Sequence, residues 1–355
     1  MGLSQCYRIG LIGAVSIILI ILGCLYAGFY INVDDYFVFY NIDVGHHESM
    51  TENVQIVQQE FHLNTRHSKI VSLPKDVIDG VKTFVLFLGH AHSGHSIVGS
   101  LLDAHPHMVI AHEANVFEHL SKGTLEPKKV DIFNAIWRNT VKGTVHGKRV
   151  TPVKGYSLLV QGLYEGKYVD HIDVIGDKKA GTTTSLLLTR QQKFLSSLET
   201  IKSFVDSVKV IHVIRNPYDN IATSVIYAMT SSREESTSIK ESKEIFKTHH
   251  ETVHNRIKRY FAYYKAIEDV KKLYNLDYIE VHGKDLVSDA RGTISRMCDG
   301  LGVFCSDSYL DVCSDKVFKS ESKTRYKIEW DKGHLDEIQR NIDEFSSLNG
   351  YTFDS

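Results

Sequence analysis

The sequence predicts an α/β fold, a three-layer sandwich around a mainly parallel central sheet, preceded by one transmembrane helix. Three observations carry that prediction. From Lys82 onward short apolar runs alternate with helix-period patterns, as expected of strands joined by helical crossovers. The first run, Phe84 to Leu88, enters a glycine-rich turn and leaves it on a helical pattern. The stretch from Ile9 to Val33 is uncharged, rich in Ile, Leu and Gly, and long enough to cross a bilayer as a helix.

In chain order, residues 1–8 form a short tail and 9–33 an uncleaved signal anchor, since a cleaved signal peptide has a shorter apolar core. Arg8 on one side, with Asp34 and Asp35 on the other, favours a cytoplasmic tail and a lumenal body, a single-pass type II arrangement. Residues 34–80 mix acids, His and Gln around one proline, Pro74, and read as a stem; a small helix near Asn53 to Phe61 packed on the domain is the alternative. The globular domain then spans 81–355. Its candidate strands are Thr83–Leu88, His171–Ile175, Val208–Ile214 and Tyr278–Val281. Its clearest helix is Ser242–Tyr274, where Val253, Ile257, Tyr260, Tyr264 and Ile267 recur at helical spacing and cover the sheet. A net charge of -2 with no long basic run argues against a nucleic-acid partner.

Two constellations carry chemistry. Gly89-x4-Gly94-His95-Ser96 has P-loop spacing, with His95 where the lysine usually stands, so the sandwich is P-loop-like. Glycines there let backbone N–H groups converge on an anion, and the following helix adds the partial positive charge of its N-terminus. A neutral imidazole adds no fixed charge, which disfavours an ATP- or GTP-dependent kinase; Asp177 is its one convincing magnesium-binding candidate at a strand end. The second constellation follows Ile214: Arg215-Asn216-Pro217, then Thr223 and Ser224. Pro217 fits the first turn of a helix, leaving Arg215 at the C-terminal edge of the sheet, where open α/β sheets bind ligands. There it offers a fork donor to a second anion.

Together these residues resemble the PAPS-dependent sulfotransferases, the membrane-anchored Golgi-type enzymes in particular, over about residues 82–352. His92-Ser93-Gly94-His95-Ser96 is similar to the 5'-phosphosulfate loop, with His92 in place of Lys or Arg and His95 in place of Thr. Leu101 to Pro106 looks like the segment that follows this loop in tyrosylprotein sulfotransferases, and Arg215 with Thr223 or Ser224 resembles the 3'-phosphate motif. The resemblance implies 3'-phosphoadenosine 5'-phosphosulfate as co-substrate, and Lys178, or the adjacent Lys179, beside the transferred sulfonate. It implies Glu113 or His112 as the base. Lys323 and Arg325, within Lys319 to Trp330, would reach the 3'-phosphate or adenine. The acceptor would be a hydroxyl of a glycan or of a protein tyrosine at the Golgi membrane, by a monomer or a homodimer. The missing loop cation also admits a non-catalytic binding protein; if His92 must be protonated to act, activity rises below about pH 6.5.

Of five cysteines, Cys298, Cys305 and Cys313 lie in the body and allow one bridge and one thiol. No metal is expected, because neither a Cys-x2-Cys pair nor a His-x3-His set stands out; His90, His92 and His95 alternate in the loop as a minor option.

Overall fold

The computed structural model describes residues 72–145, 158–160, 162–231, 242–274 and 276–355. Helix α1 (Lys75–Gly80) leads into β1 (Thr83–Leu88), followed by α2 (His95–Asp103), β2 (Met108–His112), α3 (Val116–Lys122) and α4 (Lys129–Val145). Then come β3 (Val174–Lys178), α5 (Ala180–Thr189), α6 (Gln191–Lys202), β4 (Ser207–Ile214), α7 (Pro217–Ser231), α8 (Ser242–Tyr274) and β5 (Asp277–His282). Helices α9 (Gly283–Ser288), α10 (Ala290–Leu301), α11 (Asp307–Lys316) and α12 (Lys332–Asp343) complete the chain, with a 3-10 turn at Thr324–Lys327 before α12.

The strands form one sheet in the order β2-β3-β1-β4-β5, with every neighbouring pair parallel. Strand β1 is buried throughout, and its alternation feeds two cores. Phe84, Leu86 and Leu88 join α4, α6 and the C-terminal half of α8 on one face, while Val85 and Phe87 join α2, α10 and α11 on the other. Period-two burial between two helical layers is what makes the run apolar without a break. A third core joins α7, α8 and α12 through Tyr218, Ile257, Tyr264 and Ile338.

The sandwich and its parallel sheet agree with the sequence expectation; two strand assignments do not. Strand β2 went unrecognised because five residues flanked by His107 and Glu113 form too short a run, and its identity comes from pairing with β3. Strand β3 runs three residues past the expected end at Ile175, because Gly176, Asp177 and Lys178 read as loop chemistry yet sit in register with Ile110, Ala111 and His112. Leu73, Val77 and Ile78 enter the core, so the packed body begins inside the stretch expected to be stem. The expected transmembrane helix at 9–33 lies outside the described residues; among the described residues no helix is long and apolar enough to cross a membrane. Cys298 is bridged to Cys305, and Cys313 is a buried free thiol.

Close approach of β1 and β3 depends on Gly176, where an added Cβ would stand 2.5 Å from the Val85 carbonyl oxygen. Gly176→Ala is expected to lower stability by about 1–3 kcal/mol through overpacking. Urea denaturation checks this, and an unchanged midpoint would count against that close packing.

Candidate active site

The strands end where the site begins. After β1 the chain turns through Gly89 (φ 142°), His92 (φ 67°) and Gly94 (φ 96°), and α2 starts at His95 with its N-terminus facing the turn. Gly94 at the N-cap requires the left-handed region that glycine enters freely. The Gly89 N–H donates to Thr184 Oγ1 at 2.8 Å, tying the loop to α5. The loop's three imidazoles go separate ways. His90 Nε2 lies 2.8 Å from the Tyr260 carbonyl and the ring stacks on Tyr260 at 3.9 Å. His95 Nδ1 meets Ser93 Oγ at 3.0 Å, and His92 tilts toward Tyr227 at 5.4 Å. They do not converge on a common ligand, so the option of a metal held by the loop fails. Burial pushes His90 down to about 4 and His95 down to about 3. His92 is lowered too, first by burial and then by Arg215 and Arg256. At neutral pH the loop therefore carries no fixed charge.

The charge comes from the neighbouring strand ends. Lys178, the last residue of β3, is fully buried; its Nζ donates to Ser96 Oγ at 3.1 Å and to Glu113 Oε1 at 2.9 Å. Its stem passes along Gly99 of α2, where an added Cβ would stand 2.9 Å from Lys178 Cγ. Lys179 donates to the other oxygen, Glu113 Oε2, at 2.5 Å. Burial lowers the Lys178 ammonium, and Glu113 opposes that. Burial alone would raise Glu113, but Lys178 and Lys179 together outweigh it and hold the carboxyl at about 2. The turn that carries Glu113 (φ 69°) and Asn115 (φ 57°) is held by Asp177, whose two oxygens accept from the Ala114 and Val116 N–H groups at 2.8 and 2.9 Å. Burial pushes Asp177 up to about 6. Both its oxygens face backbone donors, an arrangement that shapes a turn and does not serve a magnesium ion.

Arg215 occupies the end of β4. Nη1 donates to the His92 carbonyl and to Thr223 Oγ1, both at 3.1 Å, and Nη2 to the Ser322 carbonyl at 2.6 Å and Thr324 Oγ1 at 3.1 Å. Thr223 is further held by the Asp219 carbonyl and by Thr324, each at 2.8 Å. Of the two hydroxyls left open by the sequence, Thr223 thus positions Arg215 and Ser224 lines the cavity.

A cavity of about 420 Å³ opens between the loop, α5, α7 and α8, and its wall includes Glu113, Lys179, Ser224, Arg256, Arg259 and Tyr263. One expectation is corrected here. Arg325 does not reach a ligand: fully buried, it donates to the Thr352 and Ser355 carbonyls and lies 3.5 Å from Asp219. A basic-looking loop concealed it because burial is invisible in composition. Lys323 is exposed, and His112 is a half-buried strand residue paired with Lys178; like Lys178 and Arg215 themselves, neither is part of the cavity wall. Arg256 and Arg259 were missed because α8 was assigned wholly to covering the sheet. Their one signal was two arginines three apart on the turns of Tyr260 and Tyr263.

A parallel sheet whose C-terminal edge carries a glycine-turned anion loop, a buried ammonium, a half-buried guanidinium and a paired carboxylate defines an anion-binding α/β domain built for group transfer. The sulfotransferase family model matches residues 85–307, more than half of the chain, and the chain belongs to the sulfotransferase family. No curated protein sequence matches it. Similar solved structures include the sulfotransferase domain of the curacin biosynthetic pathway, at 14% identity and TM-score 0.42 over 77% of this chain and 98% of that one. STF9 of Mycobacterium avium is similar at 8% identity and TM-score 0.40, over 76% and 79%. Mouse SULT7A1, solved in complex with PAP, is similar at 11% identity and TM-score 0.35, over 73% and 72%.

The depressed Glu113 carboxyl makes a signed prediction. Its contribution to stability is complete above the ordinary carboxylate value of 4.5 and is lost as pH falls from there through about 2. The melting-temperature difference between wild type and Glu113→Gln should therefore narrow progressively below pH 4.5. A constant difference across that range would place the stabilising charge elsewhere.

Proposed function

We propose that this protein transfers a sulfuryl group from 3'-phosphoadenosine 5'-phosphosulfate to a hydroxyl of a glycan or a protein tyrosine in the secretory pathway. One observation carries the reading: Glu113 lies between two lysine ammonium groups, and one of these reaches the first turn of the helix that follows the anion loop. The donor supplies a sulfuryl group already activated by its bond to phosphate. The backbone from Ser93 to Ser96 and the N-terminus of α2 receive the 5' anion. Lys178, at Ser96, contributes the charge that the loop's imidazoles lack and stabilises the sulfonate oxygens. Glu113 takes the acceptor's O–H proton. Paired with both lysines it is a weak base; as these turn toward an anion, their hold weakens and its basicity rises. The acceptor oxygen bonds to sulfur as the sulfur–phosphate oxygen bond breaks, and the electron pair leaves with the phosphate.

The 3'-phosphate falls to Arg215 with Ser224. A guanidinium has five N–H groups, and four of those on Arg215 already meet protein acceptors. Binding there exchanges the Ser322 and Thr324 bonds for phosphate, so the segment from Lys319 to Trp330 loosens as the nucleotide enters. The stretch 9–33 anchors the chain as a type II Golgi membrane protein with its body in the lumen, a compartment that suits the Cys298–Cys305 bridge. A non-catalytic nucleotide- or glycan-binding protein is the second reading, favoured by His92, which burial and nearby arginines keep neutral and which leaves the loop without a cation of its own.

Calorimetric titration of the full chain with 3'-phosphoadenosine 5'-phosphate, ADP and ATP tests the donor, and transfer of labelled sulfate separates enzyme from binder. Arg215→Ala is expected to weaken the 3'-phosphorylated nucleotide about ten- to a hundredfold and leave ADP unchanged. Equal affinity of parent and variant would remove the 3'-phosphate assignment. His92→Lys restores the loop cation. It should tighten the same nucleotide by a constant factor between pH 6.5 and 8, with the advantage shrinking below pH 6.5 as wild-type His92 gains its own proton. An advantage that already shrinks between pH 8 and 6.5 would contradict the lowering of His92.

A further inference from the structure

Away from the cavity, α8 and α12 bring together a second group of titratable side chains. His250 and His254 lie one turn apart on α8; Asp331 is the N-cap of α12, with His334 in its first turn and Glu337 beyond it. His250 Nε2 is 2.8 Å from Asp331 Oδ2, and His334 Nδ1 is 3.3 Å from the same oxygen. One ligand atom from each of His250, Asp331 and His334 lies within 4.8 Å of the others. The His250 and His334 rings are 4.5 Å apart at 43°, and His254 is next in reach, its ring 6.5 Å from that of His334 and its Nδ1 3.6 Å from Glu337 Oε2.

His334 is what separates this group from an ordinary surface cluster. Its residue is 4% exposed, and neither ring nitrogen has a hydrogen-bond partner. A buried polar group left unpaired costs free energy unless something satisfies it. The Asp331 carboxylate approaches His334 Nδ1 at 3.3 Å through Oδ2 without forming a hydrogen bond. Its Oδ1 is committed to the His334 backbone N–H at 2.7 Å, which caps the helix and turns Oδ2 toward both imidazoles. Two imidazoles and a carboxylate oxygen within 4.8 Å of one another, one imidazole desolvated and fixed on a helix, are the donor types of a transition-metal site. Imidazole donors favour zinc-class ions over calcium or magnesium.

The geometry points to a divalent-metal site of the zinc class formed by His250, Asp331 and His334, with His254 held by Glu337 as the neighbouring donor. This departs from the sequence expectation of no metal. His250-x3-His254 is a His-x3-His pair, overlooked because its completing ligands come from α12, far along the chain. The ion ties α8 to α12. Helix α8 continues from His250 to Arg256, Arg259 and Tyr263 on the cavity wall, so the tie secures the helix that carries those cations. The site does not depend on the sulfotransferase reading, and either stands if the other fails.

The test is titration of chelator-stripped full-length protein with Co2+, read by its visible d–d bands, followed by displacement with Zn2+. One equivalent is expected, together with a rise in melting temperature on Zn2+ addition. His250 is half exposed, so His250→Ala should fold and weaken Co2+ binding by at least about tenfold. His334→Asn, read the same way with circular dichroism as the folding control, should do likewise. His107→Ala, in the separate His107, Asp170 and His171 group, should leave the affinity unchanged. Absence of stoichiometric uptake, or uptake that His250→Ala does not weaken, overturns the proposal; so does loss of the site in His107→Ala.

Discussion

The site depends on one buried ammonium. Lys178 has no exposed side-chain surface, and removing an ion of that size from water costs several kcal/mol before compensation. Glu113 and Ser96 supply the compensation, and both are delivered by the fold. Parallel register of β2 and β3 sets Lys178 opposite His112, so the next residue of that strand's exit, Glu113, falls beside the ammonium. Gly176 lets β3 lie close to β1, and Gly99 leaves room for the lysine stem against α2. Loop, base and cation are thus coupled through side chains that the sheet has already aligned.

Arg215 does for the other half of the site what Lys178 does for the first. Its guanidinium joins the loop carbonyl of His92, the α7 hydroxyl of Thr223 and the 3-10 turn at Thr324, while Asp219 receives both threonine hydroxyls at its carbonyl and the Arg325 N–H at its carboxylate. The segment after α11 is therefore part of the binding edge although its most basic residue, Arg325, is consumed as internal scaffolding. Charge at this site is built from the ends of β3 and β4. The loop contributes backbone geometry and neutral rings.

Much of the architecture was legible in the sequence: β1 writes itself as an unbroken buried apolar run, β4 and β5 as shorter β-branched runs between polar residues, and α8 as apolar residues at helical spacing. The turn at Gly89 to Ser96 and the Arg215-Asn216-Pro217 exit were legible because glycine and proline impose backbone conformations that spacing reveals. Strand β2 was not, since five residues hold no period of their own. Arg256 and Arg259 were not, because a long amphipathic helix hides which of its polar turns faces a cavity.

The sequence by itself determined the layered α/β plan, the anion-loop position and the identity of the residues at the strand ends, all properties of local pattern and covalent spacing. Only the tertiary structure decided which of those residues carry charge and where it points. Lys178 is sealed against Gly99, Glu113 is shared between two lysines, the loop histidines are neutral, Arg325 is locked inside, and His334 is buried facing Asp331 and His250. Protonation and reach depend on burial and on partners distant in the chain, and neither is encoded in the spacing of residues along it.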